Sequence, residues 1–393
     1  ARSLAGAVRG RLSRYPASVQ AYSKSGVPYV EGDTIRLPDL ARTLERISAQ
    51  GRAGFYQGET ARLIAEEMQR GGGLITEEDL ARYQAKERTP VRGTYRGYEI
   101  ISMPPPSSGG IALVEMLNIL EGYDLRALGH NSAPHVHYLT EAMRRAFLDR
   151  ARFLADADFA QVPVDRLTSK AYAAELRKSI DPARATPSAP EDVAVAGESP
   201  ETTHYSVVDA NGMAVSVTYT LEAGYGSAIV VPGAGFLLNN EMGDFNAQPG
   251  LTTPTGLIGT EPNLARPEQR MLSSMTPSII AKDGKLVAVI GSPGGRTIIN
   301  TVLQVTSNVI DFGMNIQQAV NAARLHHQWL PDQISIEQDG VTPETAAQLQ
   351  QMGHKVRVGG RQGTAHSIMI DPNTNTRLGA PDPRDRDGGA AGH

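Results

Sequence analysis

Along residues 39–50 apolar side chains recur as Leu40, Leu44 and Ile47, a spacing that lines one face of a helix. Pro38 marks its start and Gly51 its stop. Residues 59–70 repeat the pattern and run into Gly71-Gly72-Gly73. Thr76 with Asp79 reads as a capping box opening a short helix to Tyr83. Residues 91–103 alternate like two strands around Gly97. The turn-rich PPPSSGG (104–110) follows, then an apolar helix to Leu120 and a long amphipathic helix over 134–154. Periodicity then stops. Residues 181–201 hold Pro182, Pro187, Pro190 and Pro200 among small residues, the composition of a linker.

Beyond the linker the period shortens to that of strands. Residues 205–208 and 214–220 read as a hairpin turned by Asn211-Gly212. Short strands are expected at 229–231 and 236–238, then a long polar loop over 248–270. A second hairpin, 278–281 with 286–290, turns at Asp283-Gly284. Helices are expected over 297–312, 316–325 and 343–352, with a late strand at 367–370. Strands and helices group rather than alternate, so an α+β fold of two sheets covered by helices is expected. No internal repeat is seen.

Composition narrows the function classes. The 393 residues exceed one ordinary core, so one large or two fused modules are expected. A net charge of −4 gives no reason to expect nucleic acid. No apolar run reaches the roughly 20 residues of a membrane helix. With no Cys, thiol nucleophiles and disulfides are excluded. There is no initiating Met, and Arg2, Arg9, Arg11, Arg14 and Lys24 precede the first acid, Glu31. That composition mimics a transit peptide, but the stretch reads as the interior of a longer protein.

Candidate chemistry lies mostly after the linker. If the Glu201–Thr202 bond is cut, Thr202 gains an α-amine that titrates near pH 8, so one residue supplies nucleophile and base. Its plain alternative is a threonine that opens a strand. In GSPGGRT (291–297), adjacent glycines between strand and helix let backbone N–H groups approach an anion; otherwise they make a tight turn. In LLNNEMGDF (237–245), Glu241 and Asp244 suit an ammonium group, or a solvated loop. In MLSSMTP (271–277), Ser273 and Ser274 offer hydroxyls to a carboxylate, or a turn. His135 and His137, at i and i+2 on a helix, face apart, and adjacent His326 and His327 diverge. No HExxH occurs, so no metal is expected, and no GxSxG elbow is present.

Taken in order, TTHYSVVD, VTYT, LLNNEMGDF, LSSMTPSI, GSPGG and HHQWLPD resemble the γ-glutamyltranspeptidase family of N-terminal-nucleophile hydrolases. Upstream, GGLITEEDLARY, ERTPV, YRGYE and SMPPPSSGGI are similar to the large subunit of the same family. The resemblance implies an αββα four-layer sandwich and a precursor that cuts itself between Glu201 and Thr202. Residues 1–201 would be the C-terminal portion of the large subunit and 202–393 the small subunit. The two would pair as one αββα unit.

The resemblance also assigns roles. Thr202 would be the nucleophile and Thr220 its hydrogen-bonded assistant. Gly294 and Gly295 would form the oxyanion hole. Ser273 and Ser274 would hold the α-carboxylate of a γ-glutamyl group, and Glu241 and Asp244 its α-ammonium. Glu222 stands where many members carry Asn, an added acid near the amine. Loop 248–270 resembles a lid whose Tyr is replaced here by Thr255. The family's carboxylate-binding Arg is expected before residue 1.

The implied activity is γ-glutamyl transfer from glutathione and related amides to water or to amino acid and peptide acceptors, without a cofactor. Periplasmic or secreted location is implied too. Two alternatives stand beside it: a glutaryl or cephalosporin acylase of the same fold, and a non-catalytic, uncleaved fragment.

Overall fold

The computed structural model describes residues 1–190, 202–246, 248–251 and 253–392. Glu201 and most of the expected linker lie outside the described residues. The chain divides into two compact units, residues 1–88 with 221–240, and residues 89–220 with 241–393.

The first unit holds α1 (Arg2–Arg9), α2 (Pro16–Tyr22), α3 (Pro38–Gln50), α4 (Ala53–Tyr56), α5 (Gly58–Gly71) and α6 (Glu77–Arg82), with a ladder of β1 (Ser23–Lys24) and β2 (Val27–Pro28). The capping box is present: Thr76 Oγ1 accepts from Asp79 N–H, and the Asp79 carboxylate accepts from Thr76 N–H. On α3 the buried residue is Thr43, while Leu44 is 55% exposed. The Thr43 hydroxyl donates to Ala234 O, and Ser18 Oγ donates to Ala228 O and accepts from Val230 N–H. These bonds hold residues 221–240 against the helices. Ala228 packs with Leu4, Val8 and Leu12, and Val231 and Ala234 pack with Ile64. The strands expected at 229–231 and 236–238 reduce to one bridge, Val230 with Leu237, because Ser18 takes up the neighbouring backbone groups.

The second unit is built on a six-stranded antiparallel sheet. Its strands are β3 (Val91–Tyr95), β4 (Tyr98–Ser102), β7 (Ser278–Lys282), β8 (Lys285–Ile290), β12 (Ser367–Ile370) and β13 (Arg377–Ala380), in the order β13-β12-β8-β7-β4-β3. Alternation puts Ile100, Ile280, Ala288 and Ile290 on one face, buried beneath α7 (Gly109–Leu120) and α12 (Thr297–Ile310), while α9 (Ala133–Phe153) packs on α7. Every residue of α7 is buried, which is why it reads as apolar all round. A separate ribbon, β5 (Thr203–Val208) with β6 (Ala214–Tyr219), lies against β8 and β12. Helices, sheet and ribbon follow in that order, in keeping with the expected α+β class.

Smaller elements complete the unit. α8 (Leu125–Leu128), α10 (Val164–Leu167) and α11 (Lys170–Lys178) surround α7 and α9. α13 (Ile316–Asn321) ends before the expected residue 325, since Leu325 enters a three-stranded sheet of β9 (Leu325–His326), β10 (Ile334–Ile336) and β11 (Val356–Val358). α14 (Pro343–Gln351) precedes β11. No helix among the described residues is long and apolar enough to cross a membrane.

Candidate active site

The register of the sheet gathers the motifs. Ser102 of β4 pairs with Ser278 of β7, Ser278 pairs with Ile290 of β8, and Ile368 of β12 pairs with Val289. The end of β4, the start of β7, the end of β8 and the start of β12 are therefore level. Loops 103–108, 272–277, 291–296 and 362–366 rise from one end of the sheet.

The ribbon runs towards the same end. Ser216 Oγ donates to Ile290 O, and Ser206 Oγ donates to His366 O. Nearer the start of β5, His204 lies on the backbone of Gly291. A Cβ there would stand 2.0 Å from His204 Cε1, so only glycine fits. Ser206 has one hydroxyl proton, given to His366 O, so it accepts from His204 Nε2–H at 3.1 Å. The bare Nδ1 then accepts from Thr218 Oγ1–H at 2.8 Å. Burial lowers the His204 pKa to about 3, aided by His366, so the ring is neutral and fixed in one tautomer.

The ladder of the ribbon ends at Thr203 opposite Tyr219. Thr202 and Thr220 are the next residues beyond this last pair, one on each side of the ribbon. Thr202 is half-buried. In that loop Gly294 and Gly295 have φ of 129° and 55°, backbone that side chains disfavour. Gly294 O accepts from Thr297 N–H and Thr297 Oγ1, which ties the turn to the start of α12. Gly363 from the neighbouring loop packs on Gly294, and Thr364 N–H donates to Ser292 Oγ.

The serine pair sits on the loop after β4. Ser107 bridges Ser273 in parallel, Ser108 N–H and Oγ both donate to Ser273 O, and Ser273 N–H donates to Pro106 O. Arg150 of α9, 1% exposed, donates from Nε to Ser108 Oγ at 2.9 Å and from Nη2 to Ser274 Oγ at 3.1 Å. An oxygen that accepts from a guanidinium turns its own O–H elsewhere, so Arg150 orients the Ser274 hydroxyl. Glu241 and Asp244 open and close one 3₁₀ turn. Asn263, buried, donates to Asp244 O at 2.7 Å and accepts from Leu272 N–H at 2.9 Å. One side chain thus spaces the acidic turn from the serine pair.

Residues Thr202, Thr220, Glu241, Asp244, Ser273, Ser274, Gly294 and Gly295 share the second unit. Glu222 belongs to the first, buried, with φ of 72°. Glu201 lies outside the described residues. Thr255 is exposed and pairs with Thr253 through their hydroxyls. Arg150, Asn263, Ser107 and Ser108 were not singled out from sequence. The last two lie in PPPSSGG, but their partners, like those of Arg150, are distant in sequence, and Asn263 ties together two motifs on either side of its loop.

The family model described as Gamma-glutamyltranspeptidase matches residues 1–392. The chain is 48% identical over 385 residues to the protein named Glutathione hydrolase proenzyme of Escherichia coli (strain K12), covering 97% of this chain and 66% of that protein. It is 44% identical over 388 residues to the Glutathione hydrolase proenzyme of Pseudomonas sp. (strain A14), covering 95% and 66%. The chain thus spans slightly under two-thirds of the length of these relatives. A solved structure described as cephalosporin acylase from Bacillus halodurans matches with a TM-score of 0.83 at 27% identity, over 99% of this chain and 70% of that one.

Proposed function

The chain belongs to the γ-glutamyltranspeptidase family, and on that premise we propose that it carries the catalytic core of a self-cleaving γ-glutamyltransferase and glutathione hydrolase. The observation that supports this reading is the ribbon: its ladder closes at Thr203 and Tyr219, next to Thr202 and Thr220 in the chain, and His204 seats it on Gly291.

In maturation, Thr202 Oγ attacks the Glu201 carbonyl, the acyl group moves from nitrogen to oxygen, and water cleaves the ester. The freed α-amine of Thr202 then serves as base. Thr202 Oγ attacks the γ-amide carbonyl of a γ-glutamyl compound, its proton passing through that amine to the leaving amine. The N–H groups of Gly294 and Gly295 receive the developing oxyanion, while Thr220 supports the nucleophile. Ser273 and Ser274 bind the α-carboxylate, and Asp244, with Glu241, the α-ammonium. Contact with the ammonium is also the role proposed for Glu222. Water or an acceptor amine releases the glutamyl group. No resident cofactor has a part in this scheme.

Residues 1–201 and 202–393 are proposed to remain paired as large- and small-subunit parts. The hydrogen-bonded neighbours β4 and β7 come from opposite sides of the cut, so one sheet joins the pieces. A periplasmic or extracellular location is part of the same reading. The test is turnover of γ-glutamyl and glutaryl anilides by the full-length protein and by Thr202→Ala. Preference for the γ-glutamyl anilide, abolished in the variant, is expected. Preference for the glutaryl anilide would make the protein an acylase, and equal activity of the variant would remove Thr202 from the chemistry.

A further inference from the structure

Away from the site, α9 carries a buried charged cluster that this mechanism does not use. Glu141 is fully buried. Its oxygens accept from Arg145 at 2.6 Å, Arg144 at 3.3 Å, Thr186 Oγ1 at 2.6 Å and Thr186 N–H at 3.1 Å. Arg144 donates onward to Asp332 at 2.5 Å and to Ser188 Oγ. Arg145 donates to Ser179 O at 2.9 Å. Asp332 also accepts from Ser188 N–H at 3.3 Å, and Ala185 N–H donates to Met352 O at 2.7 Å. His137 Nε2 contacts Asp181 O, and its Nδ1 faces His354 Nε2 at 2.8 Å.

Donor atoms of His137, Glu141 and His354 lie within 4.8 Å of one another, a spacing that could suit a metal ion. The surrounding charge argues otherwise. Both Glu141 oxygens already accept from guanidiniums and Thr186, so a dication would be buried beside two cations. Burial keeps His354 and His137 neutral, so two carboxylates and two guanidiniums balance. The groups that fill this cluster are those of residues 179–188.

We propose that this cluster is a clasp that docks residues 181–188 onto the 202–393 piece and keeps them docked after the chain is cut. The proposal rests on the cleavage reading given above. Its contacts straddle the proposed cut: Asp332, Met352 and His354 lie on one side, and Ala185, Ser188, Arg144 and His137 on the other. Before cleavage, covalent continuity also holds this segment near Thr202. Afterwards the clasp holds the N-terminal piece as far as Ser188. Removing one member of a buried ion pair leaves the other unpaired, so the clasp should fail sharply rather than gradually.

The experiment is hydrogen exchange of the full-length protein in its cleaved form and as uncleaved Thr202→Ala, with intact mass recorded on each sample. The amides of Ala185, Thr186 and Ser188 are expected to exchange at least about 100-fold slower than unstructured chain in both forms. Asp332→Asn and the milder Thr186→Val are expected to speed exchange there by about tenfold or more, with β4 and β7 unchanged. Fast exchange of these amides in cleaved parent enzyme overturns the clasp alone. Protection unchanged in both variants assigns the docking to other contacts and also overturns it. A parent that stays uncut removes the cleavage reading, and the proposal with it.

Discussion

At Gly291 the backbone passes so close to His204 that a methyl group has nowhere to go. Gly291→Ala should therefore lower stability by about 1–3 kcal/mol, the range for overpacking. Thermal unfolding measures this, and His204→Ala in the same chain should recover part of the loss by opening the space. An unshifted melting temperature in Gly291→Ala would show that the ribbon does not rest there. Asp244 makes a different prediction. A charge-assisted bond to an ammonium is worth about 1.5–3 kcal/mol, so Asp244→Asn should lower kcat/KM for a γ-glutamyl anilide roughly 10- to 150-fold. Cleavage of the precursor should continue, because that step binds no glutamate. Steady-state kinetics with intact mass separates the two effects.

Legibility at this scale followed the kind of residue. Thr202, the serine pair and the glycine loop stand in short motifs whose order carries the family resemblance. Arg150 does not: within α9 it is one more polar residue of an amphipathic helix. Its partner Ser274 lies 124 residues away, where no local pattern reaches. Asn263 was hidden likewise in a loop read as a lid.

Among elements, the pairing of α7 with α9 buries two acids side by side. Glu115 is pushed well above the usual carboxylate range by burial and by the Asp149 charge, to which it is hydrogen-bonded. Asp149 is raised by burial too, against Tyr172, which donates to it at 2.5 Å, and against Arg152 and Arg166. A raised carboxyl pKa means that the folded state holds a proton that the unfolded chain releases. Its stabilising effect is complete below the unfolded value, about 4.3, and is lost as pH rises towards the folded value. Glu115→Gln keeps the shape without the proton. The melting temperature of this variant, minus that of the parent, should grow as pH rises above that value. A constant difference across pH would mean that Glu115 is ionised in the fold.

The elements legible in sequence were those long enough for a period to show. α7, α9 and α12 begin and end within two residues of expectation. The ladders β9, β10, β11 and β13 are two to four residues long and give no period to read. The bridge at Val230 was over-read as a pair of strands because apolar residues there face helices rather than a sheet.

Across the whole molecule, acid should be the weak side. Burial lowers His135, His204 and His354 to about 3, and His326 and His327 to about 4. Unfolding lets each take up a proton below about pH 6.5, so stability is full above that pH and falls with acidification towards the folded values. One unit below 6.5, each should cost about 1.4 kcal/mol. Melting temperature should drop steeply between pH 6.5 and 4.5, and a flat profile would contradict the buried neutral rings. On the proposed reading, one continuous sheet is assembled from a chain that then cuts itself before Thr202. The most direct test is the intact mass of full-length protein after incubation at neutral pH. Two masses are predicted, the smaller beginning at Thr202, against one uncut mass for Thr202→Ala. A parent protein that keeps a single full-length mass would show that the chain does not cut itself before Thr202.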